Sequence, residues 1–326
     1  EIKTGGGINQ YDGDHYGKIV KGDYIPIASE NYTYYQNNGL KNNLNHWIKG
    51  TLNMSEHFIV YADMQYRYVN YRFTGFDDFA KTANQVAEFH FFNPKAGVTF
   101  LRNENESGWL SFAIGNKEPS RDDFTESTSI SRPKRENLID FEAGYSIRIK
   151  KTKLSINAYY MQYNDQLILT GKINDVGNYT RQNVKNSYRR GLEAECNFNA
   201  GRILSISGNV TLSENKILNY MEFVDQYDAD FNYIGQQENT YNKTNIAFSP
   251  SIVAAAGIEL KPLKKLSIKL TEKYVGKQYL DNTSSEDKSL NAFAYTNISA
   301  HYTFKIFKSI ETEAGVSVFN LFNEMY

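Results

Sequence analysis

Between Asn137 and Thr170 apolar and polar residues take turns along the chain. Ile139, Phe141, Ala143, Tyr145, Ile147 and Ile149 fall on one side of an extended backbone, and Asp140, Glu142, Gly144, Ser146, Arg148 and Lys150 on the other. A period of two predicts a β-strand and excludes a helix. Lys151, Thr152 and Lys153 supply a tight turn. The return arm then sets Leu154, Ile156, Ala158 and Tyr160 against Ser155, Asn157 and Tyr159. Taken alone, this hairpin fits two architectures. In a soluble sandwich or barrel the apolar side meets a core. In an outer-membrane barrel it meets lipid, and the polar side lines a wet lumen.

The same alternation recurs along the chain. Glu1 to Asn43 is expected to be loop-rich. Strands are predicted over 44–53, 57–72, 93–102, 109–115, 187–198, 203–213, 249–260, 266–276, 292–304 and 310–321. Together with the two arms of the hairpin this makes about twelve strands, each about the length that crosses a bilayer at a tilt. Connections alternate strictly. Short turns at Met54–Glu56, Asn103–Gly108, Lys151–Lys153, Ala200–Arg202, Lys261–Lys265 and Lys305–Ser309 are separated by long polar segments, of which Glu214 to Phe248 is the longest. Tight turns at one end and long loops at the other are the mark of an outer-membrane barrel. The polar side adds Asp63, Arg67, Glu142, Arg148, Glu193, Glu195, Glu259, Lys269, Glu311 and Glu313. Burying so many charges in a dry core costs several kcal/mol each unless every one is paired, as a general estimate. The pattern therefore predicts an all-β, antiparallel transmembrane β-barrel occupying residues 1–326 as one unit, with the lipid bilayer of the outer membrane as its solvent. One strand departs from it: Glu272 shares parity with Leu266, Ile268 and Leu270. A β-bulge near Thr271 is expected there, to turn the carboxylate away from lipid.

Composition narrows the reading further. The formal net charge of -1 over 326 residues gives no electrostatic footprint for nucleic acid. A run of about 18 apolar residues, which a membrane helix requires, does not occur. Tyr (25) and Phe (20) far outnumber Trp (2), which suits strands and interfacial girdles. Cys196, the single cysteine, shares a side with Leu192, Ala194 and Phe198 and is expected to act as a small apolar residue. The six prolines, Pro26, Pro94, Pro119, Pro133, Pro250 and Pro262, are expected mostly in loops or near strand starts, in keeping with the exclusion of proline from central ladders. A start at Glu1 without Met or a signal segment is expected of a processed chain or a fragment.

No motif for catalysis emerges. Walker, GxSxG and HExxH patterns do not occur. TGGGIN lacks the Lys-Ser/Thr and the strand–helix context of a phosphate loop. His15, His46, His57, His90 and His301 are scattered, so no metal site and no bound cofactor is expected. The pairs Glu193/Glu195 and Glu311/Glu313 lie roughly 6–7 Å apart on one face of a strand. That spacing allows acid–base work, as in an outer-membrane protease, but its recurrence fits lumen lining better. YDGDHYG brings Asp12, Asp14 and His15 together without the remaining ligands of a calcium loop. In RDDF, Arg121 either grips an anion or pairs with Asp122 or Asp123.

NPKAGVTF (93–100), EPSRDDF (118–124), YVGKQYLDNT (274–283) and above all VFNLFNEMY (318–326) resemble the barrel of TonB-dependent outer-membrane receptors of Bacteroidetes type. The resemblance covers nearly the whole chain. It implies a 22-stranded barrel holding an N-terminal plug. It also implies that this chain is the C-terminal portion of such a barrel, about strands ten to twenty-one, with the plug domain and TonB box outside it. One further strand follows the Asn-Leu-Phe-Asn segment in that family. A complete smaller barrel is the alternative. The implied activity is uptake of a scarce small-molecule or metal-chelate ligand, driven by the TonB energising complex through the plug, with a surface lipoprotein as a further partner. An iron-siderophore or similar chelate leads, a glycan or cobalamin is the alternative, and a passive porin-like or adhesin barrel stands further off. Tyr- and Asn-rich loops suit contact with such ligands, and a dense Arg/Lys cluster for a catecholate is not visible in them. The ligand-contact candidates are Tyr11, Asp12, Asp14, His15, Arg121, Asp122, Tyr227 and Tyr233.

Overall fold

The computed structural model describes residues 1–21, 31–76, 84–125, 127, 132–173, 179–307 and 309–325. Pro26 and Tyr326 lie outside them. The strands are β1 (Ile2–Lys18), β2 (Thr33–Asn53), β3 (Phe58–Phe76), β4 (Gln85–Asn103), β5 (Glu106–Lys117), β6 (Glu136–Ile149), β7 (Thr152–Ile173), β8 (Tyr179–Ala200), β9 (Leu204–Tyr227), β10 (Tyr233–Asn245), β11 (Ile252–Leu263), β12 (Leu266–Val275), β13 (Gln278–Tyr279), β14 (Ser289–Leu290), β15 (Phe293–Ile306) and β16 (Ile310–Val318). One five-residue helix, α1 (Arg121–Thr125), follows β5. A 14-stranded sheet runs in the order β1 to β9, β11, β12, β15, β16, and β10 pairs with β9 off that path. Every neighbour in the path is antiparallel, as hairpin connections require. Among the described residues β1 and β16 are free edges, so the sheet is an open wall.

The two faces differ in the expected way. In the hairpin β6–β7, Phe141 opposes Tyr160, Ala143 opposes Ala158, and Tyr145 opposes Ile156. These apolar side chains pack against nothing beyond their own sheet: Phe141 is 51% exposed and Val316 on β16 is 71% exposed. No shared dry core covers this outer face. The buried side chains, Val69, Tyr71, Phe73, Phe91, Phe124 and Ile217 among them, gather near the end of the wall that bears the long connections. Cys196 is exposed on the outer face, opposite Leu154.

Four expectations need correction. The described residues of 1–43 are not loop-rich: β1 pairs with β2 in continuous register from Ile2–Gly50 to Gly17–Tyr35. The main path holds one strand more than the twelve expected, because β1 is an edge strand rich in Gly and shows little apolar alternation. The long polar segments are also largely strand. β7 and β8 reach 22 residues each and β9 reaches 24, about twice what a bilayer needs. In those extensions Asp165 on β7 and Asn219 on β9 take positive φ, which interrupts the period of two, while Ile168, Val184, Ile217, Tyr220 and Ile246 pack together. The bulge near Thr271 is absent. Glu272 stays in register with Ala256 on one side and Thr296 on the other, and its carboxylate accepts a hydrogen bond from the Thr296 hydroxyl on the outer face.

Pro94 is the fourth correction, since it lies inside β4 and not at its start. Pairing of β4 with β5 ends at Lys95–Ala113, one residue short of it. Proline has no N–H to continue the ladder. Beyond that point the free β4 carbonyls are taken by side chains. Asn116 donates to Phe92 O at 3.1 Å, Arg135 donates to His90 O at 3.3 Å, and Arg132 donates to Val86 O. The wall thus has a notch above β5 and β6, and the segment after β5 turns inward to fill it.

Candidate ligand-binding surface on the inner wall

Period two in β2 and β3 sends Lys41 and Arg67 to the inner face, near the long-loop end. Glu118 follows β5 and is 8% exposed. Arg67 grips it through two nitrogens, Nη2 to Oε1 at 2.6 Å and Nη1 to Oε2 at 2.9 Å. Lys41 Nζ donates to Oε1 at 2.9 Å. Burial pushes the Glu118 carboxyl up, but Lys41 and Arg67 outweigh it and hold it below its ordinary value of 4.5. Arg67 also donates from Nε to Asn43 at 3.3 Å and stands 5.8 Å over the Phe91 ring. Lys41 stands 5.2 Å over Tyr71.

From Glu118 the chain enters α1. Ser120 and Asp123 form a reciprocal cap: the Ser120 amide and hydroxyl each donate to Asp123 Oδ2 at 2.7 Å, and the Asp123 amide donates back to Ser120 Oγ at 3.3 Å. Phe124 is fully buried beside Phe73 and Phe89, with ring centroids 5.4 and 6.2 Å away. That anchor fixes Arg121, whose guanidinium donates to Asn37 and, at 3.1 Å, to Asp122. Within RDDF, Arg121 therefore bonds Asp122 and not Asp123. Asp123 serves the cap and lies 3.9 Å from Arg181.

Strand geometry divides the YDGDHYG cluster. Tyr11 and His15 lie on the inner face of β1, with Tyr11 Oη 3.3 Å from His15 Nε2. Asp12 and Asp14 turn to the other face, where Asn38 Nδ2 donates to them at 2.7 and 3.0 Å. Tyr11 joins the inner cluster: a side chain placed at Gly39 would meet Tyr71 at 3.6 Å and Tyr11 at 4.0 Å, so glycine leaves the space between the rings open. Tyr227 and Tyr233 face each other at the tip of the β9–β10 hairpin, 6.0 Å apart and edge to face. They belong to a separate, outlying feature.

Tyr11, His15, Arg121 and Asp122 are therefore brought to one surface with Asn37, Lys41, Tyr71 and Glu118, which the sequence reading did not single out, and with Arg67, which it assigned only to the polar side. The signal for Lys41 and Arg67 was their parity with neighbouring strand residues. The signal for Glu118 was its place in the EPSRDDF stretch. Three cations scattered over 80 positions converge, Lys41 and Arg67 on the Glu118 carboxylate and Arg121 on that of Asp122. With phenol rings beside them, they suit an anionic or planar aromatic ligand.

No curated protein sequence matches the chain. Among solved structures it is similar to the ferric-catecholate import receptor Fiu of E. coli K12, with a TM-score of 0.70 at 13% identity, covering 99% of this chain and 48% of that one. It is also similar to the siderophore receptor PiuA of Acinetobacter baumannii (TM-score 0.68, 14% identity, 88% and 40% coverage). The copper transporter OprC gives 0.69 at 12% identity, with 99% and 48% coverage. At such identities the likeness shows the fold, and the chain spans about half of those structures or less. The profile described as TonB dependent receptor-like, beta-barrel matches residues 2–321. The chain belongs to the TonB-dependent receptor family and forms part of its β-barrel.

Proposed function

We propose that this chain is the C-terminal part of the barrel of an outer-membrane importer for an iron chelate, with a siderophore as the leading ligand. The observation that carries the reading is the inner-wall convergence of Lys41, Arg67 and Arg121 with Tyr11 and Tyr71. A ferric chelate presents anionic oxygens and planar aromatic groups, which those side chains match. The printed names of the two iron-receptor neighbours support the same class. The free edges β1 and β16 support completion by further strands, since an open sheet edge in lipid leaves backbone groups unsatisfied. Coupling runs through a plug to the TonB energising complex, and a surface lipoprotein is a further candidate partner. Catalysis is not part of this reading.

Titration of the full receptor with ferric siderophores, haem, cobalamin and oligosaccharides tests it. Saturable binding of a ferric chelate, weakened by Arg121→Ala, is the expected result. Binding confined to oligosaccharides would move the substrate to the glycan class, for which Asn37 and the tyrosines provide contacts. Uptake that continues after the proton gradient is collapsed would replace the energised importer with a passive pore.

A further inference from the structure

We propose that the β7–β8 and β9–β10 hairpins are fastened into one body above the wall by two side-chain carboxamides, Gln236 and Asn282, so that a disturbance of either hairpin reaches the other. Their place outside the lipid rests on the membrane reading above, and the coupling does not depend on it. Among the described residues, backbone pairing between β8 and β9 ends at Asn186–Leu218. Beyond that level β8 runs on against β7, as far as Ile173–Tyr179, and β9 runs on against β10, as far as Tyr227–Tyr233. With no ladder between them, two such hairpins are free to part unless side chains hold them.

Gln236 on β10 closes the gap at the far end. Its Nε2 donates to Gly171 O at 2.8 Å, and its Oε1 accepts from the Ile173 amide at 3.4 Å. A carboxamide carries both donor and acceptor, so it serves β7 as the peptide group of a neighbouring strand would. Asp225 on β9 fixes it in place. That carboxylate accepts from the same Nε2 at 2.7 Å and from the Tyr179 hydroxyl of β8 at 2.6 Å. The approach is close: Gly171 has a φ of +81°, and a Cβ there would collide with the Phe223 carbonyl. The Lys172 ammonium lies 5.0 Å from the centre of the Phe223 ring.

Asn282, between β13 and β14, makes the second crossing. It is 7% exposed, donates to Leu169 O on β7 at 3.3 Å and accepts from the Ala247 amide just after β10 at 2.9 Å. The segment that bears it is tied back to β9 through Lys288, 2.8 Å from Asp281 and 3.8 Å from Glu222. Both hairpins also feed one buried apolar cluster, Ile168 and Val184 from the first, Ile217 and Tyr220 from the second. Parting the hairpins exposes that cluster and breaks the carboxamide bonds in the same step. The body carries Tyr227 and Tyr233 at its tip and Arg181, 3.9 Å from Asp123 of α1, lower down. Gln236 and Asn282 are thus positioning residues for both regions.

Hydrogen exchange read by mass spectrometry on the full receptor tests this. In the unaltered protein the amides of 166–173 and of 219–227 should open at a common rate. Rates more than about tenfold apart would overturn the proposal, whatever the variants do. Gln236→Leu, on β10, should speed exchange in 166–173 of β7 about tenfold, through the loss of its bonds to two backbone groups there. Gly171→Ala, on β7, should speed exchange in 219–227 in return, since coupling is reciprocal. Gln226→Leu removes a 3.3 Å bond to Gln237 within one hairpin and should leave 166–173 unchanged. An effect of Gln236→Leu confined to β9 and β10 would show two independent hairpins and overturn the proposal. Coupled exchange in a receptor that does not enter bilayers would uphold it and remove the membrane reading.

Discussion

Arg67 on β3 and Glu118 beyond β5, 51 residues apart, meet through two hydrogen bonds of 2.6 and 2.9 Å. The pair ties the segment that fills the notch to the wall beneath it. Glu118→Gln removes the charge that Lys41 and Arg67 share. Those cations keep 29% and 24% of their side-chain surface in solvent, against 8% for Glu118, which softens the penalty. A loss of roughly 1–3 kcal/mol in docking of the 118–125 segment is predicted. Faster amide exchange at Asp123 and Phe124, with β3 and β4 unaffected, would register it.

The same pair sets an acid dependence. The folded-state pKa of Glu118 lies below its ordinary 4.5. Its contribution is therefore fully present above pH 4.5 and is lost as pH falls through the lower folded value. Wild-type docking, followed by limited proteolysis, should weaken across that acid window, and Glu118→Gln should flatten the profile.

Phe124→Ala empties a fully buried site between Phe73 and Phe89. A cost of about 3–5 kcal/mol is expected for such a truncation. It falls on the inward-turned segment. Arg121 then loses its fixed position, so ligand affinity should drop while cold, SDS-resistant barrel mobility is retained.

Pro94 and Ala113 explain why the wall opens where it does. Pro94→Val restores an N–H facing β5 and should lengthen the ladder past Lys95–Ala113. Protection of the new amide at position 94 is the expected sign. Absence of protection there would show that the inward segment, and not the proline, parts the strands.

Much of this architecture was legible in the chain. Where one side of a strand meets lipid and the other meets water, residues such as Phe141 and Glu142 must alternate, and the alternation gives the strand. It fades where the strands run on with polar residues on both sides, so β9 beyond Ser213, all of β10 and the edge strand β1 looked like loop. Glu272 shows the opposite limit: a bulge was the expected remedy for a carboxylate on the outer face, yet Thr296 supplies a hydrogen bond and the register holds. For the inner surface, Tyr11 and Arg121 could be singled out locally. Lys41, Arg67 and Glu118 gain meaning only when strand order brings distant positions side by side, and separation along the chain hides that.

The facing of the wall carries the whole account. Spin labels placed singly at positions 141, 145 and 192, and at 142 and 193, in a Cys196→Ala background of the full receptor in lipid bilayers, test it most directly. Collision with dissolved oxygen and with a charged nickel complex is measured at each site. Labels replacing Phe141, Tyr145 and Leu192 should meet oxygen and be shielded from nickel, while those replacing Glu142 and Glu193 should show the reverse or be screened from both. Nickel access at 141, 145 and 192 together with lipid exposure at 142 and 193 would contradict the account.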